Sequence, residues 1–455
     1  MPRGPPLYCR PPCSSRRRGV AIHHARIWWM RLATPPPLLV LAFVGFLLAV
    51  PSRGGARDAL AHFARSPQQR GAGADAVRKR NGPTARTEGG CFCTNDRFGA
   101  ACRHSIPRSN EFVPTSLPRP CARDTAAARA FQRTLERTQS CRAGGRLRVY
   151  AMPKYGFGSI FSYAVYGLAS AAGAGAAFEE PNKSIPGFAP SSCENGGFAC
   201  YLENFSGCAA GVRSGRLGKR PIPFLVSRRR KDWRQLLFGP SARRRGTFWF
   251  HSQLVQRLWQ LRKAERAAAD LVQRANFTWQ PANSCVGVHV RHGDACKDHR
   301  SQRRCYSAAT YIRHARRLKS RYKLKGVFLA TDDPSVVRAF RAQRDLNVAV
   351  QGVDRGWLSG GGSTRIETRM KSRSATGGVQ GRIGRETVVD MELLARCSAF
   401  VGTFSTNLGR LAYEIMAARQ NTLPPYVSLD IAWCPGFARD NGYVYAQGKQ
   451  IKFDC

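Results

Sequence analysis

The sequence predicts an α/β fold, because three stretches each run from a short apolar strand through polar residues into a helix-forming segment. In the first, Cys285-Val-Gly-Val-His-Val-Arg-His-Gly-Asp294, the residues Val286, Val288 and Val290 alternate with small residues and His289. That is the period of a strand buried on at least one face. The second, Gly326-Val-Phe-Leu-Ala-Thr-Asp-Asp-Pro334, ends in two acids, with Pro334 placed to start a helix. The third, Ala399-Phe-Val-Gly-Thr-Phe-Ser-Thr-Asn407, precedes Leu408, Leu411, Ala412 and Ile415, which fall on one helical face.

The polar residues of all three stretches sit where a strand meets its loop, and in open α/β sheets ligands bind at that edge. Arg291 there offers a planar fork that can grip a phosphate through two parallel hydrogen bonds. Asp294 would hold that fork or ionise against it; the alternative is a surface ion pair after an ordinary strand. Ser405, Thr406 and Asn407 lie at a helix N-terminus, where backbone N–H groups and the dipole favour an anion. Together the three units predict a pocket for a nucleotide or a sugar nucleotide.

The segments VGVHVRHGD, FLATDDPS and FVGTFSTNLGRLAYEIM, in this order and spacing, resemble the donor half of α-1,6-fucosyltransferases and of the related bacterial nodulation fucosyltransferases. FWFHSQLVQRLWQL (248–261) resembles the segment before the family's first motif, and YGFGSIFSYAVYGLA (155–169) resembles the Gly-aromatic-Gly start of its N-terminal half. The resemblance extends over residues 146–433. It implies a glycosyltransferase of the GT-B type, with two Rossmann-like domains facing a cleft. It also implies inverting transfer of fucose from GDP-fucose to a glycan, with no metal and no further cofactor. By the same resemblance Arg291 clamps the leaving pyrophosphate with Ser405 and Thr406, His289 and Asp390 contact guanine, and Asp332 and Asp333 lie near the donor with Asp294. One of Asp332 and Asp333 serves equally well as the cap of the helix at Pro334.

Two departures from the family pattern bear on mechanism. His292 stands where the family has a second arginine, and Ala295 where it has a lysine; a histidine can still donate to phosphate, and Lys297 is the nearest replacement cation. The family's base is a glutamate a few residues further on. His299 is its counterpart by position and Asp298 is the nearest acid. Asp298 is preferred, since the base need only accept one proton from the acceptor hydroxyl.

Taken in order, residues 1–31 carry seven arginines and no acid, and 32–52 carry no charge. That pattern reads as a cytosolic tail and a transmembrane signal anchor of a single-pass type II protein; a cleaved signal or an organellar transit peptide are the alternatives. Residues 53–145 read as a stem, with a half EGF-like motif at 91–102 that acts as a staple or, with a fourth ligand such as Cys121 or His104, as a zinc site. Residues 146–283 are predicted as the N-terminal, acceptor-side domain, with a strand at Leu147–Met152 and a helix over Ser159–Ala172. Residues 213–246 read as basic loops, and Trp249–Leu261 as an amphipathic helix. Residues 284–455 are predicted as the GDP-sugar-binding domain, interrupted by a Gly/Ser-rich loop at 356–384 able to close over substrate. No segment resembles the Src-homology-3-like domain of animal core fucosyltransferases, which leaves their acceptor, the innermost GlcNAc of N-glycans, in question.

Sixteen cysteines, none in paired C-x-x-C spacing, favour disulfides in an oxidising lumen. The sequons at Asn182, Asn204 and Asn276 agree with that compartment, and the family resemblance makes the Golgi membrane the expected location. The net charge of +45 suggests a nucleic-acid binder, but the arginines are spread along the chain and no nucleic-acid module is present. Protein O-fucosylation, transfer from another nucleotide sugar, and a non-catalytic glycan-binding surface protein are the competing functions.

Overall fold

The computed structural model describes residues 110–120, 122–140, 146–152, 155–181, 183–185, 187–208, 240–281, 283–297, 305–359, 366–370, 378–433, 443–446 and 449–452. All lie within one compact unit, Asn81–Cys455. The anchor at 32–52, the half EGF-like motif, Cys121, Asn182, Asp298 and His299 fall outside the described residues. Among the described residues no helix is long and apolar enough to cross a membrane.

The chain forms β1 (Glu111–Phe112), α1 (Ala122–Gln139), β2 (Arg146–Val149), α2 (Phe157–Gly173) and β3 (Ala176–Glu179). Next come α3 (Pro240–Leu258), α4 (Lys263–Asn276), β4 (Cys285–Val290), α5 (Gly293–Lys297), α6 (Ala308–Arg321), β5 (Gly326–Thr331), α7 (Pro334–Arg341) and β6 (Val348–Val350). It continues through α8 (Arg355–Ser359), α9 (Ile366–Arg369), α10 (Val379–Arg396), β7 (Ala399–Gly402), α11 (Asn407–Gln420) and β8 (Tyr426–Ser428), and ends in the hairpin of β9 (Tyr443–Ala446) and β10 (Lys449–Lys452).

The main sheet has the strand order β1-β8-β7-β4-β5-β6. Its five inner and later strands pair in parallel, with Val288 opposite both Leu329 and Val401. After β4 the chain adds β5 and β6 on one side, then returns to add β7 and β8 on the other. The order therefore reverses between β4 and β7, the crevice in which such sheets bind ligands. Val286, Val288 and Val290 are fully buried, as expected of a parallel strand covered on both faces. Gly287 brings β4 close to α10 there: a Cβ would stand 3.1 Å from the Leu394 carbonyl, tighter than an ordinary contact. A fully buried disulfide, Cys285–Cys397, ties β4 to the end of the same helix.

The first half holds a smaller parallel pair, β2 and β3, joined through α2. Its core is continuous with that of the second half: Phe161 meets Trp259 and Phe248 meets Tyr413 in one cluster. Burying each such ring contributes about 1.5–3 kcal/mol. The strand at 147–152 and the helix at 159–172 are thus found, each shifted by one to three residues.

Three expectations are corrected. Residues 110–140 belong to the body and not to a stem: β1 pairs antiparallel with β8, and Phe131 of α1 packs edge-on against Trp249. The buried ion pair Asp124–Arg245, at 2.9 Å, and the Gln132–Gln253 carbonyl bond, also 2.9 Å, fix α1 on α3. Secondly, α3 starts at Pro240 and is buried all round over Phe248–Val255, because α1 covers one side and α11 the other. The described parts of 356–384 are helical and packed: Met370 is fully buried, close to Gly187.

Candidate functional site

Arg291 leaves the end of β4 at the β4/β7 crevice. Its guanidinium bonds to two carboxylates at once, Asp332 from the end of β5 and Asp294 from the first turn of α5. Both acids are more than nine-tenths buried, and the shared guanidinium gives each a counter-charge without which burial would be costly. Asp332 also accepts the His292 amide at 2.9 Å, and Asp294 accepts the Ile366 amide at 2.8 Å. The segment read as a closing loop is thereby anchored to the Arg291 turn. A Cβ on Gly293 would overlap the Asp332 carboxylate and stand 3.2 Å from the Arg291 guanidinium. A side chain at this position would therefore crowd that ion pair.

His292 points away from the fork. Its Nδ1 lies 3.1 Å from Asp333 Oδ2, and its Nε2 lies 2.8 Å from the Tyr306 carbonyl. A carbonyl can only accept, so Nε2 donates. Asp333 is the N-cap of α7 and takes the Ser335 amide at 2.8 Å and its hydroxyl at 2.7 Å. Burial alone would raise its carboxyl; the Ser335 bonds and His292 outweigh burial and hold it below the usual range. The two adjacent acids thus have separate tasks: Asp332 holds Arg291, and Asp333 caps a helix and faces His292.

On the other side of the crevice Thr406 caps α11. Its hydroxyl accepts the Gly409 amide at 3.1 Å and donates to the Thr403 carbonyl at 2.8 Å. The amides of Phe404 and Ser405 are taken by the Asp430 carboxylate, at 2.9 and 3.2 Å. Arg410, buried in the first turn of α11, donates to the Phe404 carbonyl at 2.5 Å and to the Asn407 side chain. His289, also buried, brings Nδ1 to within 3.5 Å of where a Cβ on Gly409 would stand. His289, Arg291, Ser405 and Thr406 therefore share one edge. The start of α2 abuts it: a Cβ on Gly158 would stand 3.0 Å from the Leu408 amide.

Asp390 lies on α10, on the β5/β6 side. Gln351, with its nitrogen turned inward, donates to Asp390 Oδ1 at 2.7 Å. Burial pushes the Asp390 carboxyl up to about 7; Arg355 opposes the shift and Glu386 adds to it. Arg355 donates to the carbonyls of Thr331, Gln351 and Val353 at 3.0, 2.8 and 3.3 Å, and its charge acts on both Asp390 and Asp332.

Sequence reasoning missed Asp430, Arg355 and Arg369. Asp430 follows the three-residue strand β8 at the same edge of the sheet, a weak version of the strand-then-acid pattern seen at Asp332. Arg369 falls on a short helix inside the stretch read as loop, and Arg355 opens another just before that stretch. Burial lowers the pKa of the Arg369 guanidinium, the charge of Asp294 opposes the shift and that of Arg291 adds to it, while Arg369 itself donates to the Leu358 carbonyl at 3.3 Å. Among the described residues no group of three or more His, Cys, Asp or Glu could hold a metal ion.

Residues 243–432 match the family of α-(1,6)-fucosyltransferase N- and catalytic domains. This segment is an α-1,6-fucosyltransferase family domain. It spans every donor-side residue named above, from His289 to Asp430, while β1 to β3 precede it. The fold is also similar to solved fucosyltransferases. The fucosyltransferase NodZ from Bradyrhizobium is 16% identical, covering 59% of this chain and 93% of that one, with a TM-score of 0.34. A NodZ α-1,6-fucosyltransferase crystal soaked with GDP-fucose is 17% identical over 60% and 93%, TM-score 0.34. POFUT1 in complex with GDP-fucose is 13% identical over 64% and 99%, TM-score 0.32. No curated protein matches the chain.

Proposed function

We propose that the protein transfers fucose from GDP-fucose to a glycan acceptor, with inversion, as a membrane-anchored GT-B enzyme of the secretory pathway. The observation that carries this is the position of Arg291 at the β4/β7 reversal, opposite the Ser405–Thr406 end of α11, inside the α-1,6-fucosyltransferase family domain. Transfer needs fixed positive charge where the GDP leaving group develops its own, and a preorganised fork in a crevice supplies it. Arg291, still held by its two carboxylates, would face the pyrophosphate, with Ser405 and Thr406 opposite it and Arg369 as a second cation. His289 and Asp390 would read guanine. His292, with both ring nitrogens facing protein acceptors, would brace the turn and leave the phosphates to Arg291.

Asp298 is proposed as the base that takes the acceptor proton, with His299 the alternative. The chemistry asks for no metal: the guanidinium groups carry the charge neutralisation. The β2-α2-β3 unit is the acceptor-side half in this reading, and the charge-free stretch 32–52 is the single type II anchor that places the enzyme in the Golgi membrane. Incubating the full chain with GDP-fucose and a glycan array tests the proposal. Fucosylated product with release of GDP supports it. GDP binding without transfer to any glycan would favour a non-catalytic glycan-binding protein.

A further inference from the structure

Of the described disulfides, Cys285–Cys397 is fully buried, whereas Cys296–Cys305 is exposed at both cysteines. The exposed bond is also the one wired to the site. Cys296 ends its turn on the site itself: its amide donates to the His292 carbonyl at 2.7 Å, and its sulfur lies 3.8 Å from the Arg291 carbonyl. Cys305 immediately precedes Tyr306, whose carbonyl takes His292 Nε2 at 2.8 Å. His292 in turn reaches Asp333 through Nδ1 and Asp332 through its amide, and Asp332 holds Arg291. One end of the disulfide therefore rests on the Arg291 turn. Its other end fixes the carbonyl that orients His292.

We propose that the Cys296–Cys305 disulfide is a positioning element of the donor site, which holds the Arg291–His292 turn in the geometry that binds a nucleoside diphosphate. This rests on the reading of that edge as the GDP-sugar site. Without the bond, Tyr306 loses its covalent tie to α5, and the acceptor of His292 is held less firmly. Preorganisation of the fork is lost, and with it affinity. Exposed disulfides are the ones open to exchange. Dithiothreitol would pass two electrons and two protons to the bond, leaving Cys296 and Cys305 as thiols and itself as a cyclic disulfide. The buried Cys285–Cys397 bond would be spared.

The test is GDP titration by calorimetry on the full chain in three states: oxidised, mildly reduced with dithiothreitol, and reoxidised. Alkylation and mass spectrometry would report which bonds opened. The expected result is GDP affinity at least 5-fold weaker after selective opening of Cys296–Cys305, recovery on reoxidation, and an unchanged near-ultraviolet circular dichroism spectrum. The C296S/C305S double variant should show the same loss without reductant. Equal GDP affinity in all states and in the double variant overturns the proposal while leaving the GDP site intact. Loss of affinity together with the dichroism signal also overturns it, since the bond would then merely support the fold. Absence of GDP binding by the oxidised protein removes the underlying reading and the proposal with it.

Discussion

Arg291 and Asp332 are bonded across the edge of two adjacent parallel strands, the guanidinium from the end of β4 and the carboxylate from the end of β5. The pair stands beside the point where the strand order reverses, and Asp294 closes it from the other side. An arginine so held is aimed before any ligand arrives.

Replacing Arg291 by alanine should weaken GDP binding by about 1.5–3 kcal/mol, the worth of a hydrogen bond to a charged group. Arg291→Lys should recover only part, because a point charge replaces a planar fork. Calorimetry with GDP checks both variants. The alanine variant should also unfold at lower denaturant, since Asp332 and Asp294 lose their shared partner.

Gly293→Ala should disturb the same pair without removing a charge. The new methyl would overlap the Asp332 carboxylate and crowd the Arg291 guanidinium, so one of them must shift. GDP affinity should fall on the order of 10-fold, equivalent to about 1.4 kcal/mol, while circular dichroism stays native. Unchanged affinity would show that the Arg291–Asp332 geometry is not what binds.

Asp390 should give the fold a pH dependence. Its carboxyl, pushed up to about 7 by burial, stands well above the value of about 3.9 usual for an unfolded chain. The folded state therefore favours the protonated form. Its contribution is fully present below about pH 4 and is lost as pH rises through about 7. Asp390→Asn stays neutral throughout, so its unfolding free energy should gain on the unmutated protein between pH 5 and pH 8. Denaturant melts at the two pH values give the difference, on the order of a few kcal/mol. A constant difference would mean that Asp390 is ionised at both.

The base is open to a paired test. Asp298→Asn should keep GDP affinity and lower transfer by about 10²–10⁴-fold, with His299→Ala mild. If His299 is the base the pattern reverses, and activity of the unmutated enzyme falls as pH drops through the histidine range. Normal transfer by both variants would place the base elsewhere.

The donor edge was legible in the sequence because parallel strands buried on both faces write themselves as unbroken apolar runs. Val327–Ala330 and Ala399–Val401 show this, and Val286–Val290 does so apart from His289; the polar residues that use the edge follow each run. The two-acid ambiguity at Asp332 and Asp333 was not: which one caps a helix and which one holds Arg291 depends on side-chain direction, and adjacent residues on a strand end point oppositely. The assignment of 110–140 to a stem failed for a related reason. A two-residue strand such as β1 has no period to read, and α1 shows its apolar face only through Phe131 and Leu135 among many alanines and arginines. Arg355, Arg369 and Asp430 stayed hidden because short helices and three-residue strands carry too few residues for a pattern.

The most direct measurement is GDP release from GDP-fucose by the full chain, supplied with a mixture of glycans, compared between the unmutated protein and Arg291→Ala. The account predicts glycan-dependent release together with fucosylated product, falling at least 10-fold in the variant. Transfer at equal rates by both proteins would contradict it, because the crevice built around Arg291 would then not be where GDP leaves.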